Sequence, residues 1–175
     1  VAEMMTGPSE TVLTNDDVAV EDSSFTTGRR GVAATIIVEK IVGSLAESGG
    51  SLEDCKNLGN KVNKNSGSMG VAFSSCIVPA AGKPTFELRS DEMEFGVGIH
   101  GEPGRRRDKI KSAQEITNEL LNAILEDLKP ENKDEILLFV NGMGGTPISE
   151  LYLIYDNARK MLDNKKIKIA RSLVG

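Results

Sequence analysis

An α/β fold is predicted, and three observations predict it. From Glu135 onward a strand-like run (Glu135 to Val140), an amphipathic helix (Ile148 to Leu162) and a second strand (Ile167 to Ala170) follow one another, the order that builds an α/β layer with a partly parallel sheet. Glycine- and proline-containing stretches separate the periodic segments throughout, as turns between elements require. The composition, 39% hydrophobic and 27% charged over 175 residues, is that of a globular chain. Its length suits one domain, or one complete small domain with part of another.

Thr11 to Thr14 reads as a short strand, and Asn15-Asp16-Asp17 as turn or helix-cap residues. A polar loop runs to Arg30. From Gly31 to about Glu47, Val32, Ile36, Ile37, Ile41, Val42 and Leu45 give a wide apolar helix face. Gly49-Gly50 ends that helix, and Ser51 with Asp54 forms a capping box for a second one reaching Lys64. The polar, glycine-containing stretch from Asn65 to Ser68 marks a domain boundary. Residues 1–65 are therefore expected to end one α/β unit, and 66–175 to form a second. In that second unit Met69 to Cys76 alternates like a strand, Val78 to Pro84 is a loop, and Glu92 to Ile99 is a strand entering the segment around His100. Ser112 and Glu115 cap a helix whose face carries Ile116, Leu120, Leu121, Ile124 and Leu128, and Lys129-Pro130 stops it. No internal repeat is found.

Charge and cysteines exclude several classes. The net charge of −5 is the wrong sign for a general nucleic-acid footprint. Cys55 and Cys76 read as buried small hydrophobes rather than a disulfide framework or zinc site. The absence of a long apolar span and of a basic, apolar leader predicts a soluble cytosolic protein. A start at Val1 and a stop at Gly175, just after a strand-like run, point to a piece of a longer protein.

His100 is the only histidine. It stands in Gly96-Val-Gly-Ile-His-Gly-Glu-Pro-Gly104, where glycines permit positive φ and close main-chain approach and an imidazole can serve as base or nucleophile. The bland alternative is a histidine that only hydrogen-bonds its own turn. Gly96-x-Gly98-x-x-Gly101 matches the dinucleotide fingerprint formally, but Pro103 and Arg105-Arg106-Arg107 separate it from the next helix, so the match is read as accidental. Asn141 to Thr146 could cradle an anion; without a lysine in the loop, a tight strand-to-helix turn is the favoured reading. Arg29-Arg30 read either as a contact to phosphate or a partner carboxylate or as solvated residues, and Arg105 to Arg107 as a solvated loop. Asp16 and Asp17, as paired carboxylates, would suit acid/base chemistry, yet cap and turn roles are commoner at such positions. No Ser/His/Asp set or metal-spaced cluster can be assembled, which leaves a self-sufficient hydrolase unsupported.

Four segments speak together: VLTNDDVAVEDSSFTTGRRGVA (12–33), SSCIVPAAGKP (74–84), EFGVGIHGEPG (94–104) and VNGMGGTPISELY (140–152). In this order they resemble the substrate-binding K subunit of dihydroxyacetone (glycerone) kinase. The resemblance covers most of the chain but lacks that family's N-terminal half, with its GGGSGHEP-type and NYTGD-type motifs, and its usual tail. It implies a carboxy-terminal domain with a mixed β-sheet flanked by helices, plus a partial amino-terminal α/β domain. It further implies that His100 holds dihydroxyacetone covalently as a hemiaminal and that Gly98, Gly101 and Gly104 shape its loop. No cofactor is implied on this chain; ATP or ADP with magnesium would sit on a nucleotide-binding L subunit or domain, recharged in some members by a phosphotransferase-system M protein. A homodimer is implied for the full-length subunit, with no nucleic-acid or membrane partner. The second histidine and the aspartate that activate the substrate would lie in the absent half, so this chain alone is expected to be inactive. The runner-up is a K-like dihydroxyacetone sensor that co-activates a transcription regulator.

Overall fold

The computed structural model describes residues 7–20, 28–75, 77, 79, 82–84, 86–99, 102 and 104–175. Two helices come first, α1 (Ala34–Glu47) and α2 (Leu52–Lys64), packed as a hairpin. Three short strands follow, β1 (Val71–Ala72), β2 (Glu92–Phe95) and β3 (Arg106–Lys109), then α3 (Ala113–Leu128), β4 (Glu135–Val140), α4 (Ile148–Asn164) and β5 (Lys168–Val174). β1, β2 and β3 form an antiparallel sheet in that order, with Glu94 opposite Arg107 and Phe95 opposite Arg106. β4 and β5 pair in parallel across α4, the arrangement expected for a strand, helix, strand unit. The α/β expectation is thus met, with the antiparallel and parallel strands in two separate small sheets.

Helix α3 joins these layers. Its Ile116 and Leu120 pack with Met93, Phe95, Met69 and Val71 on the antiparallel sheet. Leu121 and Leu125, further along, pack with Ala158, Leu162, Ile167, Ile136 and Leu138 from α4 and the parallel pair. The expected capping boxes are both formed: Ser51 with Asp54 at α2, and Ser112 with Glu115 at α3. Lys129, in the left-handed conformation at φ 48°, closes α3 before Pro130.

Four expectations are corrected. Thr11 to Thr14 does not form a strand; side chains hold it instead, Asn63 donating to the Leu13 carbonyl and the Thr14 hydroxyl bonding that of Thr35, and the isolated bridge that follows, Asp17 to Ser68, is too little for a ladder. The strand expected from Met69 to Cys76 shortens to Val71–Ala72, and Cys76 lies outside the described residues. β4, expected to be buried, is covered on one face only, with Leu137 exposed. Cys55 is half-buried rather than buried, on a helix whose Leu52 is exposed.

Gly43 lies on the exposed side of α1, and an added Cβ there would meet nothing within 4 Å. Gly43→Ala should therefore stabilise the protein by about 0.5–1 kcal/mol, because alanine loses less conformational freedom in a helix. Urea unfolding checks this; a destabilised variant would show that α1 does not hold its helical form there.

Candidate functional site

The loop that contains His100 connects β2 to β3. It is the turn of an antiparallel hairpin, so the carboxyl-edge rule for parallel sheets is not what places it. β2 stops at Phe95 rather than running on to Ile99, because Gly96 turns to φ 76°, which favours glycine. Three main-chain bonds shape the turn: Arg105 N–H to the Phe95 carbonyl (2.7 Å), Gly96 N–H to that of Gly70 (2.7 Å) and Gly98 N–H to that of Glu102 (3.2 Å). His100 is two residues in sequence from each of Gly98 and Glu102; with Gly101 and Pro103 it lies outside the described residues.

Glu94 secures the exit of this loop. It is buried on β2 between Met93 and Phe95. One carboxylate oxygen accepts the Gly104 N–H (2.7 Å) and the other the Arg107 Nη2 (3.0 Å). A buried carboxylate with both oxygens engaged is held firmly, since leaving either unpaired would cost its hydration.

Arg30 secures the entrance. Its Nε and Nη2 lie 2.8 and 2.6 Å from Oδ2 of Asp17, and Nη2 also donates to the Gly96 carbonyl at 2.7 Å. Asp17 is itself buried, accepting the Ala19 N–H on Oδ1 (2.9 Å). Asp16, beside it and fully buried, does separate work: its two oxygens accept the N–H groups of Val32 (2.9 Å) and Ala34 (3.2 Å) at the start of α1. α1 has no side-chain cap of its own at Ala33, and Asp16 supplies it from 18 residues upstream. The cap-and-turn reading of the aspartates therefore holds, and the acid/base reading gains nothing from the geometry.

Both arginines left open by the sequence are engaged within the chain. Arg29 forms a two-point pair with Asp127 on α3, whose hydrogen bonds hold that carboxyl below the usual carboxylate range against the opposing effect of burial. A carboxyl whose pKa is depressed in the folded state adds stability above its unfolded pKa and loses it as pH falls through the folded value. Asp127→Asn should thus be less stable than the wild type at pH 7, by up to about 1 kcal/mol. The two should converge as the pH is lowered below about 3.9, the unfolded aspartate value. A gap that stays constant across a pH series of melts would contradict this.

Arg106 and Arg107, expected on a solvated loop, lie in β3 instead. Arg106 pairs with Asp108 and Glu119 and sits over the Phe95 ring at 4.9 Å, while Lys111 bridges Asp108 and Glu119. The Asn141 to Thr146 loop turns its amides inward: Gly145 and Thr146 donate to the Gly142 carbonyl, Met143 to the Asn141 side chain, and Gly142 to Gly175. That geometry is the tight turn rather than an anion cradle. Among the described residues no group of three His, Cys, Asp or Glu could hold a metal ion, and no helix is long and apolar enough to cross a membrane.

A model of the Dak1 domain matches residues 1–175. The chain belongs to the Dak1 family. Over 166 residues, 95% of this chain, it is 46% identical to the PTS-dependent dihydroxyacetone kinase 1, dihydroxyacetone-binding subunit DhaK, of Listeria innocua, of which it covers 50%. To the PEP-dependent dihydroxyacetone kinase subunit DhaK of Escherichia coli it is 41% identical, with 94% of this chain and 53% of that protein covered. Among solved structures, the dihydroxyacetone kinase operon co-activator Dha-DhaQ superposes with a TM-score of 0.83 at 34% identity, over 94% of this chain and 51% of that one. The dihydroxyacetone kinase from C. freundii in complex with AMP-PNP and Mg2+ gives 0.74 at 28%, over 93% and 30%. This Dak1 chain thus spans about half the length of the curated relatives it matches.

Sequence reasoning found the loop but not what holds it. Glu94 was readable only as a polar residue between Met93 and Phe95, and the hint was its position two residues before the glycine that ends the strand. Arg30 was readable as an anion contact or as solvated, and nothing local chose between the two, because its partners Asp17 and Gly96 are 13 and 66 residues away.

Proposed function

We propose that this Dak1 chain is part of a dihydroxyacetone-binding subunit of dihydroxyacetone kinase, a phosphotransferase acting on an alcohol group, and that His100 tethers the substrate. The observation that carries the reading is the identity of 41–46% to DhaK subunits over nearly the whole chain. The chemistry is self-consistent. A neutral imidazole nitrogen adds to the ketone carbon, the C=O π bond breaks, and the imidazole proton passes to the new alkoxide, giving a neutral hemiaminal. Such a tether selects ketones and aldehydes over glycerol and fixes the hydroxyl for transfer. Glu94 and Arg30, which fasten the two ends of the loop, support a histidine held for that purpose.

The phosphoryl donor in this reading belongs to a nucleotide-binding L subunit carrying ATP or ADP with magnesium. The relatives named PTS- or PEP-dependent favour recharging through a phosphotransferase-system M protein. The subunit is read as a cytoplasmic homodimer when full length. Residues 1–65 belong to an amino-terminal α/β domain and 66–175 to a second; the α1/α2 hairpin supports this division, and Arg29 and Arg30 tie across it. Inactivity of residues 1–175 alone is part of the same reading.

The co-activator is the second reading, favoured by the TM-score of 0.83 to Dha-DhaQ. Reconstitution of the full-length gene product with an L subunit and the phosphoenolpyruvate relay separates the two. Dihydroxyacetone phosphate formation that falls to background in His100→Ala is the expected result. No phosphorylation by a folded, ketone-binding wild type would favour the sensor.

A further inference from the structure

We propose that Arg30, oriented by Asp17, is a positioning residue for the His100 loop and sets how tightly the ketone is held, an inference that rests on the reading of His100 above. The guanidinium lies along the main chain just upstream of the histidine. Its Nη2 donates to the Gly96 carbonyl at 2.7 Å, and its Nη1 lies 2.8 Å from where a Cβ on Gly98 would stand. Both glycines are buried. At φ 76° Gly96 leaves the β2 ladder, so its carbonyl needs a donor that the sheet does not provide; Arg30 is that donor.

Asp17 fixes where the donor points. Arg30 presents Nε and Nη2 to Oδ2 of Asp17. Asp17 is locked in turn by the Ala19 N–H on Oδ1 and by its own N–H, which donates to the Arg30 carbonyl at 3.1 Å. The pair therefore joins the segment before α1 to the turn that leads to His100. Covalent addition to a ketone gains from a nitrogen held near attack geometry, and a loop released at Gly96 forfeits part of that gain. A lysine at position 30 would keep a positive charge beside Asp17 but not the planar fork that reaches Gly96 at the same time.

The test uses the full-length protein and dihydroxyacetone labelled with carbon-13 at its carbonyl. The tetrahedral-carbon signal is titrated in the wild type, Arg30→Lys, His100→Ala and Ser112→Ala, the last removing the α3 cap that follows the end of the β2–β3 hairpin opposite the loop. All are measured well below their melting temperatures. Arg30→Lys should bind about 10-fold more weakly, the scale of one charge-assisted hydrogen bond, whereas Ser112→Ala should melt lower yet titrate like the wild type. If Arg30→Lys does not fold, Asp17→Asn, which leaves the guanidinium without its orienting charge, should also weaken binding. Arg30→Lys titrating within about twofold of wild type, or Ser112→Ala losing as much, would overturn the positioning role. A signal that persists in His100→Ala, or is absent from the wild type, would instead overturn the reading of His100 itself.

Discussion

Asp17→Ala is expected to cost about 3 kcal/mol of folding stability, the low end of the cost of breaking a buried ion pair. The carboxylate is almost fully buried and serves three donors: Arg30 Nε, Arg30 Nη2 and the Ala19 N–H. Alanine leaves the Ala19 amide without an acceptor and a guanidinium of 22% side-chain exposure without its anion. Partial access to water is why the low end applies. Asp17→Asn keeps an oxygen for Ala19 and removes the charge, so it should fall between. Urea unfolding of the full-length protein at unchanged m reads the effect. A loss below about 1 kcal/mol would mean that the pair behaves as an exposed one.

Gly104→Ala has the second large effect. A Cβ there would stand well inside contact distance of the Phe95 carbonyl oxygen and 2.8 Å from Cγ of Glu94. Neither neighbour can give way easily. The Phe95 carbonyl accepts the Arg105 N–H, and Glu94 holds the Gly104 amide and Arg107. The hairpin must open or Glu94 must shift, at about 2–3 kcal/mol, the upper range for overpacking. Hydrogen exchange at Gly104 and Arg105 should quicken while exchange in α4 stays protected. Unchanged protection at both loop amides would contradict the close approach. Gly145, with nothing within 4 Å of its Cβ position, provides a glycine-to-alanine control outside this hairpin.

The contrast between α1 and the other helices shows what a sequence can disclose. Ser51 with Asp54 and Ser112 with Glu115 are legible because a capping box closes within four residues. The cap of α1 is not, because the residues before it, Gly31-Val32-Ala33, carry no acceptor and Asp16 comes from 18 residues away. β3 was missed for a related reason. Arg106-Arg107-Asp108-Lys109 has no apolar alternation, and it is a strand because β2 pairs with it and because Arg106 covers Phe95. β4 and α4 were readable from periodicity alone, though the apolar run of β4 could not tell one covered face from two; β5, read as Ile167 to Ala170, runs instead from Lys168 to Val174, because pairing with β4 carries it through the polar Arg171-Ser172.

The His100 loop was legible through its glycines, since the turn at Gly96 and the tight exit at Gly104 both need residues without a side chain. Its fastenings were not. Arg30, Asp17 and Glu94 are polar residues whose roles depend on contacts set by the fold, and a charge beside a loop reads as solvated until its partner is placed.

The proposed role of His100 rests on a covalent bond to a ketone. The direct measurement is the carbon-13 spectrum of carbonyl-labelled dihydroxyacetone mixed with the full-length protein and with a folded His100→Ala variant. A protein-bound tetrahedral carbon is expected with the wild type and none with the variant. A bound ketone that keeps its carbonyl signal in the wild type, or a tetrahedral carbon that survives in His100→Ala, would contradict it.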